Sequence, residues 1–250
     1  MEKTALPKKG IVPLGWDVRY ESDRKGLLIG TSGYSSSING NKATSTVNLG
    51  DGSPDGGILP WMQGDNFTVY GAFVEKQYRQ LIIQSAYWVA SHQGLRDPLS
   101  VLTIVQDAGI NSRQRETFLG TRASQPDINL SENDVITKAN YTVQTFYVRL
   151  GYSIKSKVGQ FIPYVFMDWM SNPEVIQNKT YGGDNESGLS DDGQFYKSSV
   201  GIVYCPVKSV AVKLDGSTHT QQFNGTSLTY PEIRMDFSFS FDALSSLYKK

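Results

Sequence analysis

Apolar and polar side chains alternate without interruption along Ile233-Arg234-Met235-Asp236-Phe237-Ser238-Phe239-Ser240-Phe241. Successive side chains of a β-strand point to opposite faces of the sheet. This stretch therefore predicts a strand with one apolar face and one polar, charged face. The same alternation occurs in residues 210–215 and, near the other end of the chain, in residues 16–21. A strand pattern that recurs along the chain indicates an all-β protein.

Nine segments of this kind are visible, and the connections between them alternate in length. The segments cover residues 12–21, 26–36, 66–76, 79–91, 141–154, 158–170, 194–206, 208–221 and 229–242. The short connections lie at 21–26, 76–79, 155–157 and 206–209. The long connections lie at 37–65, 92–140, 171–193 and 222–228, and the last of these is shorter than the others. This is the arrangement of an antiparallel up-and-down transmembrane β-barrel, which has short periplasmic turns and longer extracellular loops.

The alternation alone does not decide which face contacts water, since a soluble β-sandwich has the same local pattern. Two features favour a membrane barrel, whose apolar face contacts lipid and whose polar face lines the lumen. The long connections share one rim, and aromatic side chains cluster near the strand ends, as interfacial girdles do. These aromatic residues are Tyr20, Tyr34, Tyr152, Trp169, Tyr196, Tyr204 and Tyr230.

The long connection at residues 92–140 is predicted to contain short helices. Asp97 is suited to cap the first helix and Pro98 to occupy its first turn. The second helix is predicted over residues 113–119. The pair is expected to stand on the rim or to fold into the lumen, unless the segment is an ordinary loop decoration.

Composition disfavours several classes of function. The chain has 24 Lys and Arg residues against 24 Asp and Glu residues, so it has no basic field for nucleic acid. The single Cys205 forms no internal disulfide, and the two histidines, His92 and His219, are too isolated to predict a metal site. The motifs of serine hydrolases, zinc peptidases, P-loop proteins and dinucleotide-binding proteins are absent. We therefore expect no catalytic residue, no metal and no cofactor, and a chain that is not an enzyme.

The residues also carry a resemblance to a known family. Residues 141–152 and 159–164 look like consecutive strands of Gram-negative outer-membrane porins. Residues 199–215 resemble the penultimate hairpin of that family, and Phe237-Ser238-Phe239-Ser240-Phe241 is similar to its aromatic C-terminal strand. The resemblance implies a bacterial outer-membrane protein in a lipid bilayer, through which small hydrophilic solutes or ions diffuse passively. It also implies a homotrimer.

Two departures from the family change this expectation. The family's last strand ends on a terminal Phe, whereas residues 242–250 continue beyond Phe241. Nine strands is also an odd count, and bacterial single-chain barrels use even numbers. We therefore expect residues 1–250 to form a single β-barrel domain that is the C-terminal part of a larger barrel, unless residues 92–140 contain a further strand.

The predicted functional residues are the charged side chains on the polar faces of the strands. The candidates for lining a pore are Asp17, Arg19, Arg149, Asp168, Lys213, Asp215, Arg234 and Asp236. Charges of both signs across a water-filled pore would orient polar solutes. In the alternative interpretation these residues are only the wet face of the strands, paired across strands to stabilise the wall.

A second class of function is compatible with the same pattern. The chain would then be a soluble or surface-exposed antiparallel β-domain that binds a partner. Its long connections at 37–65, 92–140 and 171–193 would form the contact surface.

Overall fold

The computed structural model describes residues 13–39, 61–107, 110, 112–126, 129–174, 193–223 and 226–240. Within these ranges the chain forms one β-sheet of ten strands, with two short α-helices. The strands are β1 (Leu14–Ser22), β2 (Leu27–Asn39), β3 (Met62–Tyr78), β4 (Leu81–Arg96), β5 (Lys138–Tyr152), β6 (Ile154–Ser156), β7 (Gly159–Ser171), β8 (Gln194–Val207), β9 (Val210–Phe223) and β10 (Thr226–Phe239). The helices are α1 (Pro98–Asp107) and α2 (Ser112–Leu119). No helix among these residues is long and apolar enough to cross a membrane.

The strands pair antiparallel in the order β1-β2-β3-β4-β5-β7-β8-β9-β10. The short β6 pairs with β7 and continues the line of β5 beyond Ser153, so the sheet has nine full-length strand positions. The predicted antiparallel up-and-down meander with a helical insertion is thus confirmed. Among the described residues the sheet is not closed, because β1 and β10 each pair with one neighbour.

The boundaries of the helical connection differ from the prediction. β4 continues to Arg96 and β5 begins at Lys138, so both strands are longer than expected. Ser91 still pairs with Thr142 and Gln93 with Asn140, although these polar side chains interrupt the apolar alternation. Backbone hydrogen bonds do not depend on side-chain type, so the ladder extends past the end of the sequence pattern. Of the other long connections, residues 40–60 and 175–192 lie outside the described residues.

The tight connection between β1 and β2 depends on a glycine. Residues Asp23–Lys25 form a 3-10 turn, and Gly26 follows with φ 55°, in the left-handed region. A Cβ atom at Gly26 would lie 2.6 Å from the carbonyl oxygen of Gln77. A larger residue would therefore disturb the 2.7 Å hydrogen bond that the Gln77 N–H donates to the Gly26 carbonyl.

A small hydrophobic core, which we call the rim core, lies at the rim of the long connections. It joins both helices to the start of β3 and the start of β5 and consists of Trp61, Met62, Val101, Ile104, Val105, Phe118, Leu119, Leu130, Val135 and Ala139. α1 begins at Pro98 as predicted, because the Asp97 carboxylate accepts hydrogen bonds from the Ser100 N–H at 2.9 Å and the Ser100 hydroxyl at 2.7 Å. This core fixes the helices to the sheet.

Candidate functional site

The strand register aligns side chains into rows that cross the whole sheet. We call "polar face" the side that carries the row Arg19, Gly30, Phe73, Ala86, Tyr147, Asp168, Lys197, His219 and Tyr230, with the alternate residues of the same strands. Side chains on this face are crowded together: Asp215 is 5% exposed and Ser217 is 4% exposed. A curved sheet crowds the side chains of its concave side, so this burial identifies the polar face as the concave one.

The opposite side, which we call the apolar face, is exposed. Its mid-strand row contains Leu150, Val165, Val200, Gly216 and Ile233. Val200 is 64% exposed and Ile233 is 83% exposed. Within the described strands the charged residues on this face are Lys76 and Lys138, and each lies close to a strand end.

The predicted aromatic girdle is only partly on the apolar face. Five of the seven residues lie there, and Trp169 and Tyr196 are register partners. The prediction is wrong for Tyr34 and Tyr230, which lie on the polar face. Tyr34 contacts the edge of Phe67, and the Tyr230 ring stacks on His219 with 4.8 Å between centroids. Proximity to a strand end does not give the side-chain direction, which follows from position parity within the ladder.

All eight predicted pore-lining residues lie on the polar face: Asp17, Arg19, Arg149, Asp168, Lys213, Asp215, Arg234 and Asp236. Asp17 and Arg19 form an exposed ion pair at 2.7 Å on the edge strand β1. Five of the others, with Lys197, surround a cavity of about 310 Å³ over β5, β7, β8, β9 and β10. That these residues line a pore stays a prediction.

One ion network in the wall is centred on Lys213. Its ammonium lies 2.7 Å from Asp215 and 3.1 Å from Asp236. The Lys213–Asp236 contact pairs opposite charges across neighbouring strands, as in the alternative interpretation of these residues. Tyr164 donates its hydroxyl hydrogen to Asp215 at 2.9 Å, which completes the surroundings of this buried carboxylate.

A second network is centred on Glu232, which the sequence analysis missed. Its carboxylate contacts Lys197 at 3.0 Å, His219 at 2.9 Å and Arg234 at 3.2 Å. Position parity was the available signal, since Lys197 and Glu232 alternate with apolar-face residues as the predicted candidates do. The two networks hold the neighbouring strands β8, β9 and β10 together on their polar face.

The second network also contains a serine next to a histidine. The Ser217 hydroxyl lies 3.4 Å from His219 Nε2 and donates to Glu232 at 3.2 Å. Glu232 contacts the same Nε2 atom, while the buried Nδ1 atom has no partner among the described residues. In a catalytic serine–histidine–carboxylate triad, the carboxylate binds one ring nitrogen of the histidine and the serine faces the other nitrogen. Here both groups contact Nε2, so this geometry does not activate Ser217.

The helical insertion packs on the polar side of the long-connection rim. Ala139 belongs to the rim core and Tyr141 packs against it, and both side chains lie on the polar face. Tyr141 stacks on His92 with 4.4 Å between ring centroids, and His92 Nδ1 lies 2.5 Å from Asp65. The helices therefore lie over the concave side of the sheet, which favours the inward of the two expected positions.

The segment that leads from α2 into β5 is held by a local cap. The Asp134 carboxylate accepts hydrogen bonds from the Ser131 hydroxyl at 2.8 Å and the Ser131 N–H at 2.9 Å. Arg122 contacts the other carboxylate oxygen at 2.9 Å. The hydrogen bonds from Ser131, with the nearby Arg122 charge, lower the pKa of Asp134 from its ordinary value.

A metal centre is not visible in the described ranges, where no group of three or more His, Cys, Asp or Glu side chains is placed to hold a metal ion. The two histidines are instead held by single carboxylates, His92 by Asp65 and His219 by Glu232.

Comparison with known proteins gives a weak structural likeness. No protein-family model matches the chain, and no curated protein matches it. Among solved structures the chain is similar to LpxR from Salmonella typhimurium, with 12% sequence identity over 92% of this chain and 88% of that chain, at a TM-score of 0.26. LpxR is an outer-membrane enzyme. The expectation that the chain is not an enzyme is contradicted by this comparison and is withdrawn.

Proposed function

We propose that the sheet is part of the wall of an outer-membrane channel of the porin kind, in the envelope of a Gram-negative bacterium. The apolar face contacts lipid, and the polar face lines a water-filled lumen. Small hydrophilic solutes or ions diffuse through this lumen.

The observation that carries this proposal is the exposed apolar face. Every full-length strand exposes a large apolar side chain there: Val18, Ile29, Tyr70, Tyr87, Phe146, Met167, Val200, Leu214 and Met235. Soluble monomers rarely expose continuous apolar patches larger than a few hundred Å². A bilayer covers such a surface without any second layer of protein.

The positions of the charged residues support the same orientation. Charges are numerous on the concave polar face, where they form ion pairs, and are confined to strand ends on the apolar face. A charged side chain at the middle depth of the bilayer is destabilising on a lipid-facing surface, whereas a water-filled lumen tolerates it. The helices over the polar side of the rim would narrow the mouth of that lumen.

The free edges support a larger barrel. β1 and β10 both run from the long-connection rim to the tight-turn rim, because eight full-length steps of an antiparallel meander separate them. Direct pairing of the two edges would be parallel, whereas bacterial barrels close with antiparallel strands in even number. We therefore propose that an odd number of further strands completes the wall.

The channel is tested in a planar lipid bilayer with the completed barrel, that is, the chain folded in detergent together with the strands that close its wall. We expect heat-modifiable migration on gels and discrete single-channel current steps, because a closed barrel resists detergent until it is heated. The heat-unfolded chain in the same detergent is the control. A chain that stays monomeric in plain buffer without detergent, or that inserts stably and passes no current, would overturn the proposal. The first of these outcomes would favour the soluble binding domain.

A further inference from the structure

The cavity on the polar face contains two charged side chains that have no ion-pair partner among the described residues, and we call them the unused charges. Its charged lining consists of Arg149, Asp168, Lys197, Lys213, Asp215 and Arg234. Four of these form ion pairs within the two networks. Lys213 and Asp215 bind each other, and Lys197 and Arg234 both bind Glu232.

The first unused charge is the guanidinium of Arg149 on β5. It lies over the Tyr164 ring, 4.2 Å from the ring centroid, and no carboxylate among the described residues lies within 4.0 Å of it. Tyr164 is itself fixed, because its hydroxyl donates to Asp215 at 2.9 Å and its side chain is buried. The ring therefore holds the guanidinium plane in place and leaves its N–H donors available.

The second unused charge is the carboxylate of Asp168 on β7. Its register partner across to β8 is Lys197, whose ammonium is bound to Glu232 at 3.0 Å. No cation of the described residues lies within 4.0 Å of Asp168, although the residue is half-buried. The Trp169 N–H donates to this half-buried carboxylate and Lys197 attracts it only from beyond 4.0 Å, so a cation supplied from outside would be bound there.

The register places the two unused charges next to each other. Arg149 pairs with Phe166, and Tyr147 pairs with Asp168, so Arg149 and Asp168 are diagonal neighbours on the same face. Diagonal positions on antiparallel strands are about 7–8 Å apart at their Cα atoms. Both side chains also line the same cavity, so a single small molecule that carries both a carboxylate and an ammonium group can contact both.

We infer that this cavity is a binding site for small zwitterionic solutes of the α-amino-acid class. The carboxylate of the solute accepts two N–H bonds from Arg149, and its ammonium group contacts Asp168. A simple anion or cation satisfies one of the two charges and leaves the other unmatched. The inference names the solute class of the proposed channel and rests on that function for its physiological meaning, although binding itself needs no open pore.

The test is a saturation-transfer NMR titration of the detergent-folded chain with L-serine, alongside the neutral polyol erythritol. We expect saturable binding of L-serine and none of erythritol. Arg149→Gln and Asp168→Asn should each raise the half-saturating L-serine concentration about tenfold or more, since hydrogen bonds to charged groups contribute about that factor. Acetate and ethylammonium should each compete more weakly than L-serine.

Arg24→Gln and Asp23→Asn are the matched controls, because they make the same changes at exposed positions of the turn between β1 and β2, outside the cavity. Both should leave L-serine binding unchanged. A far-ultraviolet circular dichroism spectrum equal to that of the unchanged chain shows that each variant is folded. Equal binding of L-serine and erythritol would overturn the site, as would acetate binding as tight as L-serine with no effect of Asp168→Asn. L-serine binding in a chain that passes no bilayer current would support the site and contradict the channel.

Discussion

Glu174→Ala is expected to lower the free energy of unfolding by about 3–5 kcal/mol, because it leaves a buried arginine without its counter-charge. Arg96 is 4% exposed and Glu174 is 2% exposed, at the junction of the sheet and the rim core. Two N–H groups of Arg96 donate to the two oxygen atoms of the carboxylate, at 2.5 and 2.7 Å. The loss is measured by guanidinium unfolding of the detergent-folded chain.

The surroundings of this pair explain the size of the effect. The remaining Arg96 nitrogen donates to the Ile136 carbonyl at 2.8 Å, and the guanidinium lies over Phe118. Trp61 donates its indole N–H to Glu174 at 3.3 Å. The pair therefore joins β4, the insertion, the start of β3 and the segment after β7, and water cannot replace the missing carboxylate without opening the rim core.

Two controls separate charge from shape. The double variant Arg96→Met with Glu174→Leu is expected to be far milder than Glu174→Ala, since replacing a whole buried pair by apolar residues is often neutral. Asp17→Ala breaks an exposed pair and should leave unfolding unchanged. A loss below about 1 kcal/mol for Glu174→Ala would contradict the buried pair.

Val200→Arg is expected to lower the stability of the chain in lipid vesicles by about 2–4 kcal/mol. Val200 lies in the mid-strand row of the apolar face and is 64% exposed, so the arginine has room and creates no clash. Its cost would come from placing a charge at mid-depth in the hydrocarbon. The measurement is a denaturant titration of vesicle-inserted chain.

The same substitution distinguishes lipid from water. An exposed valine on a wet surface changes stability by no more than about 0.5 kcal/mol when it is replaced. Ser238→Arg, at an exposed position of the polar face, is the matched control and should cost little. If Val200→Arg were as mild as this control, the apolar face would be in contact with water.

The alternation of side chains was sufficient to predict the sheet and its meander. Ile233, Met235 and Phe237 follow a period of two along β10 because all three lie on the exposed apolar face of the sheet. The start of α1 could also be predicted from the sequence, because Asp97 caps it through local hydrogen bonds. Such features depend on neighbours in sequence, and a single chain contains that information.

The contacts that build the site depend on register and could not be predicted. Glu232 meets Lys197 35 residues away, and Arg96 meets Glu174 78 residues away. Parity placed the eight candidate residues on one face, but it did not show that most are neutralised by partners. Only the three-dimensional contacts show that Arg149 and Asp168 have no counter-charge within 4.0 Å among the described residues.

The central claim is that the apolar face contacts lipid while the polar face does not, and tryptophan fluorescence tests it directly. The chain has four tryptophans. Trp16 lies on the apolar face and is 43% exposed, whereas Trp88 lies on the polar face. Variants that retain only one of these two, with phenylalanine at the other three positions, are folded into vesicles of brominated lipid. We predict strong quenching of Trp16 by the bromine atoms and little quenching of Trp88; equal quenching of both, or stronger quenching of Trp88, would contradict the account.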